Sequence, residues 1–330
     1  MKILIDINHP ADVHQFKYVI KKLAKKHEIL VIARNKDCVH QLLHENNINF
    51  LPRLGFSSFF TKIIGFPIID LQIYMIASKF KPDVLVGSSG DLYITHVGKL
   101  IGKPSFIFDD TEHSKIQNFL CFPFATAVYT PISYKLDLGK KQRRYEGFKE
   151  LAYLNYKYFK PNKKTLKDLN LKKGQKLILL RLVSWQASHD LGKKSIIDYE
   201  DLTKRLGKYG KVIISSEKKL PSNWEKYIIP KHLINKIHDI VFYSDLVISE
   251  GATIAVESAV LGTPTIYVNK LCMGYSDLMI KSKRMFQITN YEKLVNKSIN
   301  LLSKNTRKRV YNIKFDFNQY AVDEIEKWMK

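Results

Sequence analysis

Short apolar runs alternate with amphipathic stretches along the first half of the chain. The apolar run of residues 2–7 (KILIDI) predicts a buried strand, and residues 13–26 predict a helix because their apolar side chains recur at helical spacing. Further strands are predicted at residues 28–33, 48–51, 83–88, 104–110 and 126–130, and further helices at residues 37–46, 71–80 and 92–101. Strands and helices in regular alternation indicate a parallel sheet that is covered on both faces.

The pattern changes in residues 140–164, which are basic, aromatic and weakly periodic, and which we interpret as a connection between two domains. The alternation then resumes, with strands predicted at residues 176–183, 211–216, 245–250 and 264–269, and helices at residues 199–208, 233–242 and 253–261. We therefore predict an α/β fold with two Rossmann-like domains, residues 1–150 and 151–311, which face each other across a cleft. The last helix, residues 319–329 within the segment 312–330, is expected to pack back on the first domain. Ligands of such sheets bind at the loops that follow the strands.

The cysteines and the first residues of the chain indicate a cytoplasmic protein. Cys38, Cys121 and Cys272 are far apart and lack disulfide or metal-site spacing, as expected of free thiols in a reducing compartment. Asp6 interrupts the first apolar run, which argues against a secretory signal peptide. The most apolar region, residues 63–77, contains polar residues and falls short of the ~20 residues that a spanning helix needs.

A larger apolar stretch, residues 55–81, contains scattered lysines and allows two interpretations. One is a patch at the membrane surface that meets a lipid-linked acceptor. The other is a buried helix with an aromatic core loop.

The net charge of +23 favours an anionic partner, such as a phosphorylated ligand, an acidic membrane surface or nucleic acid. The alternative is that the charge only reflects a composition rich in lysine. No recognisable nucleic-acid-binding motif accompanies the charge, so binding of nucleic acid is a remote alternative.

The loop after residue 250 has the sharpest signal for ligand binding. A predicted buried strand ends at Glu250, and Gly251 permits a tight turn with close approach of a ligand to the backbone. Ala252 and Thr253 open the next helix, and Thr253 is a candidate cap. Free amides and the helix dipole at such a position suit a diphosphate.

One helical turn after Thr253, Glu257 is placed to accept hydrogen bonds from the hydroxyls of a ribose. The alternative for the whole segment is an ordinary connection between strand and helix, with Glu257 in solvent.

Arg181 interrupts an apolar strand, and a buried charge needs a partner. That partner is either a diphosphate or a carboxylate such as Glu250. The candidate ligand-binding residues on the neighbouring strand ends are Ser184, Trp185, Ser216 and Glu217.

The loops of the first domain contain candidate acid and base groups. His9, Asp12 and His14 follow the first strand and could support general base chemistry, or Asp12 caps the helix and His14 packs on it. The later strand ends contribute Asp91, Asp109, Asp110, Glu112 and His113. Crowded carboxylates acquire separated pKa values, as acid and base pairs require. Helix caps and surface ion pairs are the structural alternative, and a metal site is less favoured because no known ligand spacing is present.

Taken together, four segments give the chain a specific resemblance to a known family. They are residues 1–16, 81–115, 177–192 and 247–269. The chain resembles the domain of unknown function 354 family, which is similar to GT-B glycosyltransferases and to non-hydrolysing UDP-N-acetylglucosamine 2-epimerases. The resemblance implies a GT-B fold whose second domain holds most of the donor nucleotide, with no metal or other cofactor. The epimerases carry an acidic residue at the loop that matches Asp91 and another near Glu112, but this chain has Asn-His-Pro where they have an arginine, which argues against epimerisation.

We therefore expect a glycosyltransferase that uses a nucleotide diphosphate sugar, in the synthesis of a cell-surface polysaccharide or glycolipid. Its partners would be the donor and a sugar or lipid-linked acceptor, with peripheral contact to the anionic inner face of the membrane. Candidate catalytic residues are His14, His9, Asp91 and Glu112. A nucleotide-sugar 2-epimerase is the alternative.

Overall fold

The computed structural model describes residues 1–56, 59–183, 197–217, 220–304, 306–308, 310–311 and 314–328, and it describes no side chains for residues 59–64. The chain divides into two compact units. The first comprises Met1–Asn155, Met273–Tyr275 and Ile313–Lys330, and the second comprises Tyr156–Cys272 and Ser276–Asn312.

The first unit is built on a seven-stranded parallel sheet. Its strands are β1 (Lys2–Ile7), β2 (Glu28–Arg34), β3 (Leu51–Arg53), β4 (Val84–Ser88), β5 (Ser105–Phe108), β6 (Ala127–Pro131) and β7 (Gln142–Tyr145). Their spatial order is β3-β2-β1-β4-β5-β6-β7. In the centre of the sheet, Leu4 of β1 lies between Leu30 and Leu85 of the neighbouring strands. The predicted parallel sheet is thereby confirmed.

Helices cover both faces of this sheet. They are α1 (Pro10–Leu23), α2 (Val39–Glu45), α3 (Phe59–Phe80), α4 (Leu92–Leu100), α5 (Lys115–Cys121), α6 (Leu151–Leu154) and, at the end of the chain, α12 (Phe317–Lys327). Because crossovers between parallel strands are right-handed, α1 and α2 lie on one face and α3, α4 and α5 on the other. On α12, Asn318 is buried and donates from Nδ2 to the carbonyl oxygen of Ala152, 2.7 Å away.

Each face of the sheet has its own apolar core. Leu4 and Ile32 of the sheet pack with Ile73 of α3 on one side. On the other, the ring of Phe108 stacks on Tyr129 at a centroid distance of 4.7 Å and meets Phe317 of α12 edge to face at 5.7 Å. Burial of a Phe side chain stabilises a fold by about 1.5–3 kcal/mol, so α12 is fixed in this unit largely by its apolar face.

The second unit has a five-stranded parallel sheet with the order β12-β11-β10-β8-β9. Its strands are β8 (Leu177–Leu182), β9 (Lys211–Ser216), β10 (Leu246–Ser249), β11 (Thr265–Tyr267) and β12 (Met285–Gln287). The helices in this part of the chain are α7 (Tyr199–Leu206), α8 (Ile237–Tyr243), α9 (Ala252–Val260), α10 (Gly274–Lys281) and α11 (Tyr291–Ser303). Ile178, Leu180 and Ile248 of the central strands pack with Leu294 of α11 in the core.

Residues 140–164 differ from the predicted connection, because they include β7 and α6 of the first unit. β7 is an edge strand on which Arg143 and Arg144 are exposed while Tyr145 is buried. Charged side chains protect an edge strand from pairing with another chain. Because β7 contains them, its sequence lacks the apolar run by which the other strands were predicted.

Other element bounds also differ from prediction. α3 is 22 residues long and contains Pro67, where the sequence predicted a helix only at residues 71–80. The strand predicted at residues 48–51 is β3, at Leu51–Arg53. Within the described residues, no helix is both long enough and apolar enough to cross a bilayer.

Candidate functional site

Each sheet has a point at which the direction of the strand order reverses. In the first unit this point lies between β1 and β4, and in the second unit it lies between β8 and β10. Ligands of open α/β sheets bind beyond the carboxyl ends of the strands at such points.

In the second unit, Gly251 connects β10 to α9 and is the N-cap residue of that helix. No side chain of the described residues caps the helix, which makes the amides of its first turn candidates to bind an anion. Ser249 Oγ accepts from the Gly251 amide at 3.2 Å and donates to the Gly251 carbonyl at 2.7 Å, which fixes the turn. A Cβ at Gly251 would lie 2.9 Å from Val183 Cγ1, so glycine is favoured there.

The expectation that Thr253 caps α9 is wrong. Thr253 lies inside the helix, one residue after its start, where its backbone is already helical. Thr253 and Ala252, both in the first turn, are partly exposed.

Glu250 has a structural role beside this turn. Its carboxylate is buried and accepts from the amide of Val183 at 2.9 Å and from the hydroxyl of Tyr199 at 2.7 Å. Because both oxygens have protein donors, Glu250 joins the end of β8 to α7 and to the turn. Its role as a nucleotide contact stays a prediction.

Arg181 pairs with a different carboxylate from the one expected. Its guanidinium forms an ion pair with Glu217 and donates to Ser215 Oγ at 2.9 Å, whereas Glu250 takes the donors described above. A carboxylate is therefore the partner of Arg181, as one of the two interpretations expected, but it is Glu217 and not Glu250. Arg181 and Glu217, with Ser216 between Ser215 and Glu217, form a polar edge at the ends of β8 and β9.

Glu257 is buried in α9, and 3% of the residue is exposed. Its Oε1 lies 3.2 Å from Nε2 of His238 on α8. The alternative in which Glu257 stands in solvent is wrong, because α8 covers it. Two further candidates, Ser184 and Trp185, lie outside the described residues.

The first loop of the first unit forms a capping box at the start of α1. His9 is the N-cap residue, and its Nδ1 accepts from the Ala11 amide at 3.2 Å. Asp12 accepts from the amides of Asn8 and His9 at 3.0 and 2.9 Å. Asp12 therefore helps to cap α1, as the structural alternative expected, but it does so from the third helical position and not as the N-cap residue.

His14 lies one turn into α1, partly exposed, and its ring is 5.2 Å from the ring of Tyr153. Burial raises the pKa of the neighbouring Asp12 carboxyl above its usual value.

A cluster of buried carboxylates lies at the carboxyl ends of β1 and β4. Arg53 of β3 donates from Nε to Asp6 Oδ1 at 2.8 Å, and its Nη2 lies 2.8 Å from Asp6 Oδ2. Asp91 is the N-cap residue of α4, accepts from the Ile94 amide at 3.5 Å and is 1% exposed. Burial, and after it the negative charge of Asp6, raise the pKa of Asp91 well above its usual value. Burial therefore makes the Asp91 carboxyl harder to ionise than a free aspartate.

The carboxyl groups after β5 have protein partners. Asp110 forms an ion pair with Lys149 at 2.8 Å, and Asp109 accepts from the hydroxyl of Tyr134 at 2.9 Å. Burial raises the pKa of Asp109.

Glu112 accepts from the amides of Gly274 and Lys135 at 3.0 and 3.1 Å. It therefore fixes two loops of the first unit, in line with a structural role. His113 is exposed on the same loop.

The described residues contain no group of three or more His, Cys, Asp or Glu side chains arranged to hold a metal ion.

Asp6 and Arg53 were missed as site residues from the sequence. Asp6 stood out as a charge inside the apolar run of β1, whereas Arg53 lies just after the strand that the sequence predicted at residues 48–51. Because Asp6 lies in a buried strand, its requirement for a partner is the signal that could have led to Arg53. His238, the partner of Glu257, had no sequence signal.

The fold and these strand-end loops define a class of protein: two parallel α/β units of the GT-B type. The chain belongs to the family described as "Protein of unknown function (DUF354)", whose model matches residues 1–330.

The chain is similar to proteins of known sequence or structure. It is 26% identical over 312 residues to "Uncharacterized protein MJ0665" of Methanocaldococcus jannaschii, covering 90% of each chain. Its structure is similar to the UDP-GlcNAc 2-epimerase of Methanocaldococcus jannaschii in complex with UDP-GlcNAc and UDP, with a TM-score of 0.74, 13% identity and coverage of 99% of this chain and 100% of that one. It is also similar to the glycotransferase of kitacinnamycin, with a TM-score of 0.63, 11% identity and coverage of 100% and 99%. At these identities the structural likeness shows a shared fold.

Proposed function

We propose that this protein is a glycosyltransferase that uses a nucleoside diphosphate sugar as donor. The observation that carries the proposal is the start of α9, at the reversal point of the second sheet, where Gly251 leads into a helix that no side chain of the described residues caps. Free amides and the positive end of the helix dipole suit a diphosphate. The presence of UDP-GlcNAc and UDP in a structure of the same fold supports this choice of ligand.

Arg181 would assist the departing diphosphate. Its ion pair with Glu217 holds the guanidinium at the end of β8, beside β10, and leaves it partly exposed. A cation and a helix terminus near a leaving diphosphate stabilise the charge that develops as the glycosidic bond breaks.

The first unit would supply the acid and base groups. Burial makes the Asp91 carboxyl harder to ionise, which suits a proton donor better than a base. His9 and His14 on the first loop are then the candidates to deprotonate the hydroxyl of an acceptor.

A nucleotide-sugar 2-epimerase is the second candidate. Asp91 and Asp6, two buried carboxyl groups beside one arginine, favour it, because proton removal and return at a sugar carbon need such groups. The similar fold of a UDP-GlcNAc 2-epimerase also supports it.

We propose further that the acceptor is a sugar or a lipid-linked sugar used in a cell-surface polysaccharide or glycolipid. In this proposal the protein works in the cytoplasm and contacts the inner face of the membrane peripherally. The net charge of +23 and the exposed apolar side chains of Ile68, Leu71 and Met75 on α3 support it. These side chains recur at helical spacing, opposite the buried Ile69 and Ile73.

A thermal-shift screen of UDP-, GDP-, CMP- and dTDP-sugars tests donor binding, because a ligand that binds only the folded state raises the melting temperature. Calorimetry with the best ligand then gives its affinity. If no nucleotide sugar shifts the melting temperature or binds in the calorimeter, the proposed function is wrong.

Incubation with UDP-GlcNAc in deuterated buffer separates the two reactions. Deuterium at C2 of the sugar without any acceptor would favour the epimerase over the transferase. The transferase predicts no exchange at C2 and release of the nucleoside diphosphate only when an acceptor is added.

A further inference from the structure

Large apolar side chains stand in water on the outer face of α5. Ile116 and Phe119, one helical turn apart, are 78% and 77% exposed. Phe124 and Leu136, which follow Phe119 in the chain, are also exposed. We call these four side chains the α5 surface. Single exposed apolar residues are common, whereas a group of large ones marks an interaction surface.

A cavity of about 480 Å³ opens at this surface, within the range of small-molecule sites. Its apolar walls are Phe119, Phe122, Pro123, Val128, Leu136 and Leu138. Because Phe119 and Leu136 line the cavity and are also exposed, the cavity and the α5 surface are continuous. Glu112 and Lys115 lie at its polar part.

Basic residues lie beside the apolar side chains: Lys115 and Lys141 line the cavity, and Arg144 donates to the carbonyl oxygen of Leu136. The basic residues between positions 115 and 145 are Lys115, Lys135, Lys140, Lys141, Arg143 and Arg144, and the one acidic residue in that stretch of sequence is Asp137. Lys141, Arg143 and Arg144 donate to backbone carbonyl oxygens. Within the described part of the chain, none of these three forms an ion pair with a carboxylate, so their charges are held in place without being neutralised.

We propose that the α5 surface binds an anionic phospholipid bilayer and that the cavity takes one hydrocarbon chain of a membrane lipid. Apolar side chains would enter the interface while the surrounding cations meet the lipid phosphates, the combination that binds proteins to membrane surfaces. The identity of that lipid as the acceptor rests on the proposed function. The surface differs from the stretch at residues 55–81 that the sequence indicated.

Co-sedimentation of the full-length protein with vesicles tests the surface. Vesicles of phosphatidylcholine with 30% phosphatidylglycerol are expected to bind the protein at least about tenfold more tightly than phosphatidylcholine alone, and the binding is expected to weaken with salt. Absence of binding to the anionic vesicles, or equal binding to the neutral ones, would overturn the proposal.

Two double variants localise the contact. I116S/F119S is expected to lower vesicle affinity at least about tenfold, since it removes two exposed apolar side chains from the interface. I228S/I234S removes two exposed isoleucines of the second unit and should bind as the wild type does. Because all four residues are exposed, both variants should remain folded. Their melting temperatures check this. A folded I116S/F119S variant with wild-type affinity would overturn the location.

Fluorescence reports whether the surface enters the bilayer. F119W places an indole at the proposed contact. The difference between its fluorescence emission and that of the wild type is expected to shift to shorter wavelength on anionic vesicles. Lipids brominated on their chains are expected to quench it. An unshifted and unquenched difference spectrum would contradict insertion.

The cavity has its own test. L136W places a larger side chain at the mouth of the cavity, and it should weaken binding of monomeric lysophosphatidylglycerol about tenfold in calorimetry while vesicle binding remains. Unchanged lysolipid binding would overturn the role of the cavity. Nucleotide-sugar binding, measured on the same samples, separates the two proposals. If neither the wild type nor any variant binds a nucleotide sugar, the proposed function is refuted. The binding of vesicles decides the inference about the α5 surface.

Discussion

At the residue scale, the buried charges of the two units differ in how they are satisfied. Arg53 pairs with Asp6, and the pKa of Asp91 is raised by burial and, after it, by the charge of Asp6. Glu257 instead has a histidine partner, His238, on the helix that covers it. A buried carboxyl without a full set of donors is a candidate for chemistry, whereas a fully bonded one is a candidate for structure.

Asp91→Asn is expected to change the pH dependence of stability. The pKa of Asp91 is raised in the folded protein, so the folded chain binds this proton more tightly than the unfolded chain does. The free energy of unfolding therefore declines as the pH rises above the unfolded pKa of about 4. Asparagine also caps helices and has no charge, so the variant should match the wild type near pH 4 and be more stable at pH 7–8.

Urea unfolding at several pH values measures this difference. D137N, at an exposed aspartate whose side chain accepts from the Gly139 amide, serves as the control and should show no such trend. A wild type and a D91N variant with parallel stability curves between pH 4 and 8 would contradict a raised pKa at Asp91.

Glu257→Gln is expected to weaken nucleotide binding by about 1.5–3 kcal/mol, the range for hydrogen bonds to a charged group. Glutamine keeps the size of the side chain, so it disturbs the buried contact with His238 less than alanine would. Calorimetry with the nucleotide identified in the screen measures the change. E292Q, at an exposed carboxylate of the same unit, should bind normally, and unchanged affinity of E257Q would remove Glu257 from the ribose role.

At the scale of elements, the start of α9 and the start of α1 have the same position in their units and different surroundings. α1 is closed by the capping box of His9 and Asp12, so its first amides are occupied. Among the described residues, α9 begins with Gly251 and has no side-chain cap, so its first turn is a candidate anion-binding terminus. The difference favours α9 over α1 as the helix at which a phosphate would bind.

Thr253→Glu is expected to affect the helix and the ligand in opposite directions. An acidic side chain in the first turn stabilises a helix by about 0.3–1 kcal/mol through the dipole. The same charge repels a diphosphate, and nucleotide affinity should fall about tenfold or more.

Melting temperature and calorimetry on the same sample measure both effects. T253Q has nearly the same shape without the charge and should bind close to normally. If T253E bound the nucleotide as tightly as T253Q does, the diphosphate would not lie at the start of α9.

At the scale of the whole molecule, the net charge of +23 allows non-specific attraction to nucleic acid. We expect binding of a labelled 20-base-pair duplex, followed by fluorescence anisotropy, to fall steeply with salt and to be absent at about 0.5 M. Nucleotide-sugar binding should persist there because its contacts are local. Tight duplex binding at high salt without any nucleotide-sugar binding would instead favour a nucleic-acid binder.

The sequence by itself determined the class of the fold. The apolar runs of β1, β8 and β10 are buried strands because a parallel sheet covered on both faces admits few polar side chains, and this rule is visible in the letters alone. Gly251 was found for a similar reason, since a turn between a strand and a helix has a local signal. Shorter elements such as α5, β7 and β12 have too few residues to show a period, and they were missed or read as connections.

Only the tertiary structure decided which charged groups meet. Arg181 pairs with Glu217 rather than Glu250, Arg53 with Asp6, and Glu257 with His238, although each partner lies at least nineteen positions away in the chain. Contacts of this kind depend on strand order and helix packing, which periodicity does not encode. Burial likewise sets the pKa of Asp91, because the cost of a charge depends on what surrounds it in space.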